Sequence, residues 1–150
     1  MNIIGIDHLV YGANDLNAAV QFMQDFGLTE VHDQAFGRYF ETLDATGILV
    51  AEAEHPELPA KLASISQLRK MVYGVADQAT LDDIQAELSQ DREVKILANG
   101  ALETVDDVGI TIGFQITKRR ELNLPVEKIN APGAPHQRGY NQLGVDHSIQ

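Results

Sequence analysis

The chain has 150 residues, 44% hydrophobic and 22% charged, with a formal net charge of -11 and no cysteine. This fits one globular domain, or two half-size modules sharing a core. It excludes a reader of phosphate backbones, which needs clustered Lys and Arg, docking on an anionic membrane, and disulfide or thiolate chemistry. No apolar run reaches membrane-spanning length, and the start lacks the basic segment and apolar core of a secretory signal. The expectation is a cytoplasmic protein with neither nucleic acid nor membrane as partner. Lys118-Arg119-Arg120 is the only basic run, and it reads as a solvated strand end.

Residues 3–11 alternate as a strand, with Ile4, Ile6, His8 and Val10 on one face and Gly5, Asp7, Leu9 and Tyr11 on the other. Gly12 supplies a turn, and Asn14 or Asp15 can cap the helix that follows. Leu16, Ala19, Val20, Met23 and Phe26 form that helix's apolar stripe, which Gly27 ends. Strands are expected over 28–34, 38–43 and 48–53, with turns at Gly37 and at Asp44-Ala45-Thr46-Gly47. On the third strand Ile48, Val50 and Glu52 share a face. His55-Pro56-Glu57-Leu58-Pro59 reads as a linker or surface excursion, and 60–68 as a short helix.

A copy of the opening then appears. Met71-Val72-Tyr73-Gly74-Val75-Ala76-Asp77 aligns without a gap under Leu9-Val10-Tyr11-Gly12-Ala13-Asn14-Asp15. Leu81, Ile84 and Leu88 give a second helical stripe, with Thr80 and Asp83 resembling a capping box. Strands follow at 93–98, 101–105 and 109–117, with turns at Asn99-Gly100 and Asp106-Asp107-Val108-Gly109. The expectation is an α+β fold in which two βαβββ modules, about 1–56 and 67–121, pair into one cupped, mostly antiparallel sheet with helices on the outer face. Residues 122–150 read as a proline-rich linker or arm. It ends in Leu143-Gly144-Val145-Asp146-His147-Ser148-Ile149-Gln150, an echo of Ile4 to Val10.

The opening motif resembles the vicinal oxygen chelate superfamily, which includes glyoxalase I, bleomycin and fosfomycin resistance proteins and extradiol ring-cleaving dioxygenases. The resemblance covers 3–117: a hydrophobic strand carrying His8 and ending in Tyr11-Gly12, then Asp15-Leu16 and a helix, then Phe26-Gly27-Leu28. It implies a divalent metal (Fe, Mn, Zn or Ni) inside the cup, held by residues of the first and last strands of the modules. His8 occupies the first-strand position, and Glu52 lies at or one residue beyond the last-strand position. The second-module equivalents are Lys70 and Gly113, neither of which is an ordinary metal ligand. The chain thus offers at most two of the family's usual three or four ligands. A lone His on an apolar strand also fits a hydrogen-bonded core residue, and Glu52 a strand-end carboxylate in water. His32 and His55 read as solvated.

Three functions are consistent with this pattern. The chain resembles most the N-terminal, metal-poor domain of a two-domain extradiol dioxygenase acting on a catechol-like aromatic. His147 would then be either the first ligand of a following domain or part of a linker. A glyoxalase-type enzyme would complete its site by homodimerisation, each chain giving His8 and Glu52. A non-catalytic binding protein would hold a small molecule in a cup lined by Tyr11, Tyr39, Phe40, Tyr73 and Phe114. The proline-rich arm and the open sheet edges suggest a homodimer.

Overall fold

A computed structural model of the chain describes residues 2–31, 36–62, 68–123, 128–131 and 134–137. Its two halves repeat element by element. The first is β1 (Ile3–Ala13), α1 (Leu16–Asp25), β2 (Thr29–Val31), β3 (Arg38–Glu41) and β4 (Gly47–Glu52). The second is β5 (Leu68–Val75), α2 (Gln78–Leu88), β6 (Lys95–Ile96), β7 (Leu102–Val105) and β8 (Thr111–Ile116). Eight strands form one sheet in the order β2-β3-β4-β1-β5-β8-β7-β6. In each half the first strand pairs in parallel with the last, β1 with β4 and β5 with β8. The halves join where β1 meets β5 antiparallel. The result is the expected α+β arrangement, a cupped sheet with both helices outside.

Matching residues start both helices. The Asp15 side chain accepts from the Ala18 N–H at 2.9 Å, and the Asp77 side chain from the Thr80 N–H at 2.8 Å. The capping box expected at Thr80 and Asp83 is therefore displaced: Asp77 is the N-cap, and Thr80 is buried inside the first turn. Asp77→Ala is expected to lower the urea unfolding midpoint, because the Thr80 N–H loses the acceptor that caps the helix. α1 closes as expected. Gly27 takes φ +87°, and the Leu28 and Gly27 N–H groups bond back to the Met23 and Gln24 carbonyls, which satisfies acceptors at the helix end. Phe26, expected in the α1 stripe, is instead the C-cap and is exposed, stacked on exposed Phe22.

The repeated Val-Tyr-Gly has a steric cause. Gly12 and Gly74 lie within strands and are not among the positive-φ glycines, so Gly12 is not the turn residue expected. Each is crossed by the residue that leaves the returning strand. Ala53 donates to the Ala13 carbonyl and Thr117 to that of Val75. A Cβ on Gly12 would lie 3.2 Å from Ala53 Cα, and one on Gly74 would lie 2.4 Å from Thr117 Cγ2.

Each helix covers its own half. Leu28, Phe40 and Val50 form one buried cluster, packed by Leu16, Ala19, Val20 and Met23 of α1. Val75, Leu81, Ile84, Leu102 and Phe114 form the other, with Tyr73 packed against it. Strand alternation then assigns the remaining positions of these strands to the concave face.

The connections are tied down by arginines. Arg69 is 5% exposed and donates to the Ala53 and Pro59 carbonyls at 2.7 and 2.9 Å, fixing the chain that links the halves. Arg119 and Arg120, expected in a solvated strand end, instead bind the first half. Arg119 donates to Asp44 Oδ2 and to the Ile6 carbonyl, and Arg120 to the Leu43 carbonyl and Glu41. The carboxylate of Asp44 also accepts from the Thr42 and Thr46 hydroxyls at 2.6 and 2.7 Å. Burial pushes its pKa up, but these hydroxyls, the Thr46 N–H and the Arg119 charge outweigh that, and the net shift is below 3.8. A depressed folded pKa contributes stability above the unfolded value that is lost as pH falls through the folded one. Asp44→Asn should therefore flatten the acid limb of the stability curve below about pH 4, measured by urea unfolding across pH.

Residues 122–150 were expected to be a linker or arm. Within it the described residues include a separate hairpin of β9 (Lys128–Ala131) and β10 (Ala134–Gln137). The helix expected over 60–68 falls largely on 63–67, outside the described residues, as do His32 and His147; residues 60–62 are not helical. No helix among the described residues is long and apolar enough to cross a membrane.

Candidate functional site

A cavity of about 540 Å³ occupies the concave face. One cross-strand row runs along its floor: His8 lies opposite Gly47 and Val72, Val72 opposite Gly113, and Gly113 opposite Glu103. Val10, Leu49 and Val72 give the floor its apolar surface. Asp7, His8, Tyr39, Lys70, Glu103 and Gln115 bring polar atoms to it.

His8 is in the cup, as its strand parity predicts. Asp7 is there too, against that parity. The β1–β5 register shifts between Ile6 and His8, so that both neighbours reach the cavity, as happens at bulges. Asp7 accepts from His8 Nδ1 at 2.8 Å and from Gln115 Nε2 at 2.7 Å. Its burial raises the carboxyl pKa, but hydrogen bonds from His8 and Thr117 and the charges of His8 and Arg119 reverse this, and the net direction is down. Tyr39 meets His8 edge-on with ring centres 5.9 Å apart. Burial first, then the Asp7 and Glu41 charges, push its phenol up to about 12, so it is a neutral hydroxyl at any physiological pH. Gly47 makes this placement possible, since a Cβ there would lie 2.6 Å from Tyr39 Cζ.

The second half places an ion pair at the equivalent position. Lys70 Nζ lies 2.6 Å from Glu103 Oε2, with the two side chains 15% and 25% exposed. The lysine stem passes over Gly113, where a Cβ would be 3.0 Å from Lys70 Cε. The glycine thus opens the path by which Lys70 reaches across to β7.

Glu52 is not in this cup. It shares the helix-side face of β4 with Ile48 and Val50, lies exposed at the strand end, and borders a different depression with Asn14, Asp15 and Glu54. It pairs with Ala13, five residues along β1 from His8, a displacement of about 16 Å at strand rise. The cup-facing position of β4 is Leu49. Alternation likewise moves Phe40, Tyr73 and Phe114 out of the expected aromatic lining and into the helix-side cores. Tyr11 also does not line the cavity, which leaves Tyr39 as the lining aromatic of that set. His55 stacks on Phe36 at 5.1 Å, and its Nδ1 accepts from the Glu57 N–H.

The donor set does not fit a divalent metal. At the four paired positions His8, Leu49, Lys70 and Gly113, only His8 brings a ligand atom, and Lys70 brings a cation. Among the described residues no group of three or more His, Asp and Glu side chains could hold a metal. Of the carboxylates on the cup floor, Asp7 is engaged by His8 and Gln115, and Glu103 by Lys70.

No protein-family model matches the chain, and no curated protein matches it significantly. Solved structures do. A catechol 2,3-dioxygenase superposes with a TM-score of 0.63 at 13% identity, covering 80% of this chain and 42% of that one. An extradiol ring-cleaving dioxygenase from B. fuscum gives 0.62 at 16% identity, over 80% of this chain and 34% of that one. The methylmalonyl-CoA epimerase from Mycobacterium tuberculosis gives 0.50 at 17% identity, over 75% and 87%. The chain spans less than half the length of the dioxygenases it matches. It shares the fold of these dioxygenases and of the epimerase.

Proposed function

We propose that this chain, with its vicinal oxygen chelate fold, is a metal-poor paired-module domain of an extradiol-dioxygenase-type protein. Any ring cleavage of a catechol-like aromatic would then depend on a metal held outside this cup. The observation that carries the reading is the Lys70–Glu103 pair lying over Gly113, where a metal-binding module would need ligands. A cation at that position repels a divalent metal, and a carboxylate neutralised by it is a poor donor. The partial coverage of the dioxygenases supports the same reading, since those chains have room for more than one such unit.

The test is an assay of the purified chain, loaded with Fe(II) under anaerobic conditions and then mixed with catechol in air-saturated buffer so that O2 is supplied, followed at the absorbance of the ring-opened product. No turnover is expected from these 150 residues, while a reading frame continuing into a second paired-module unit with His and Glu at cup positions should cleave. Iron-dependent cleavage by this chain alone would overturn the proposal.

The epimerase match, which covers 87% of that chain, favours a second reading: a free-standing glyoxalase-type enzyme whose metal sits at His8 and is completed by a partner chain. Glu52, exposed at its strand end, is open to such a partner. This reading needs a homodimer, and a monomer in sedimentation at micromolar concentration removes it.

A further inference from the structure

We propose that the cup is itself a binding site for an uncharged, single-ring small molecule bearing a hydroxyl or carbonyl group, held without any metal. The proposal rests on reading the cup as metal-poor. Its volume of about 540 Å³ lies within the range of small-molecule pockets. Its floor of Val10, Leu49 and Val72 suits an apolar ring.

The charges select against an ionic ligand. Asp7 is engaged by His8 and Gln115, and Lys70 by Glu103. A ligand carboxylate could reach Lys70 only by displacing Glu103, and a ligand ammonium could reach Glu103 only by displacing Lys70. Separating a partly buried pair leaves a charge without its partner. Glu57 also lines the cavity but is exposed, where water and salt screen it.

What remains open is neutral hydrogen-bonding capacity. Among the described residues no hydrogen bond reaches His8 Nε2, the Tyr39 hydroxyl or Gln115 Oε1. None of the three is among the buried unpaired atoms. Asp7 orients the imidazole by holding Nδ1 and orients the Gln115 amide by holding Nε2. The network therefore presents preset acceptors, with the Tyr39 hydroxyl beside them, at one end of an apolar floor. A hydroxyl or carbonyl on a neutral ring satisfies these atoms and breaks no pair.

Three probes share a ring and differ in charge: phenol, benzoate and benzylamine. Each is titrated into the full chain at pH 7 with EDTA present, followed by ligand-detected NMR, and metal content is counted in the same samples. Phenol should bind saturably, and benzoate and benzylamine about tenfold more weakly or worse. Tyr39→Phe, which deletes only the hydroxyl, and His8→Ala should each weaken phenol. Benzoate binding best, with the preference lost in Lys70→Met, would overturn the proposal in favour of an anion site. So would the absence of saturable phenol binding, or phenol binding that neither variant changes. Stoichiometric metal surviving EDTA would instead overturn the metal-poor reading on which this rests.

Discussion

Replacing Arg69 with methionine is expected to lower the unfolding free energy by about 3 kcal/mol, the residue of two charge-assisted bonds of about 1.5–3 kcal/mol each after relief of the guanidinium's desolvation. Arg69 is 5% exposed, and its acceptors are the backbone carbonyls of Ala53 and Pro59, with no carboxylate among them. Methionine fills much of the volume but leaves both carbonyls without their donor, and the 53–59 connection loses its attachment to β5. Arg69→Lys should recover part of the loss, because one ammonium cannot span both acceptors as the guanidinium fork does. Urea unfolding with an unchanged m-value measures the effect. A loss below about 1 kcal/mol would mean that the connection is held by other contacts.

The second large effect is expected at Gly74. An alanine Cβ there would sit 2.4 Å from Thr117 Cγ2 and 2.7 Å from Thr117 Cβ, too close for any rotamer change to relieve fully. Overpacking of this kind costs about 1–3 kcal/mol, and the upper end is expected because Thr117 is also held by the bond from its N–H to the Val75 carbonyl. Thr117→Gly removes the clashing atoms. The double variant should therefore recover most of the Gly74→Ala loss, a coupling that a double-mutant cycle reads directly. Additive losses would show that Gly74 is needed for its backbone freedom and not for the close approach. The same test at Gly12 meets Arg69, whose Nη2 would lie 3.0 Å from the new Cβ, so Gly12→Ala and Arg69→Met should also couple.

These glycines show what the sequence made legible. The Val-Tyr-Gly repeat pointed to duplication, and the structure places Gly12 and Gly74, Asp15 and Asp77, and His8 and Lys70 in matching positions of the two halves. Periodicity and turn chemistry carried the element order, because each strand and cap is decided by near neighbours. Which face of each strand is the cup is not a local property. On β4 both faces are apolar, Ile48 and Val50 on one and Leu49 and Ala51 on the other, and only the position of α1 decides between them. Glu52 and the aromatic lining were misplaced for that reason.

Two further features escaped alternation for different causes. Asp7 enters the cup through a register shift in β1, which a period of two cannot express. Arg119 and Arg120 read as solvated because a basic run usually is, and their acceptors at Ile6 and residues 41–44 lie far away in sequence. Gln115 was legible in principle, since it shares the parity of Gly113. Glu103 could have been found only by noticing that Gly113 clears a path for Lys70.

On the proposed reading, the Lys70–Glu103 pair over Gly113 stands where this fold would otherwise hold a metal. Equilibrium dialysis of the full chain against Fe(II), Mn(II), Zn(II) and Ni(II) in turn, with bound metal counted per chain, tests it most directly. Well below one ion per chain is expected for every metal, with no difference between the wild type and His8→Ala. One ion per chain that disappears in His8→Ala would contradict that reading.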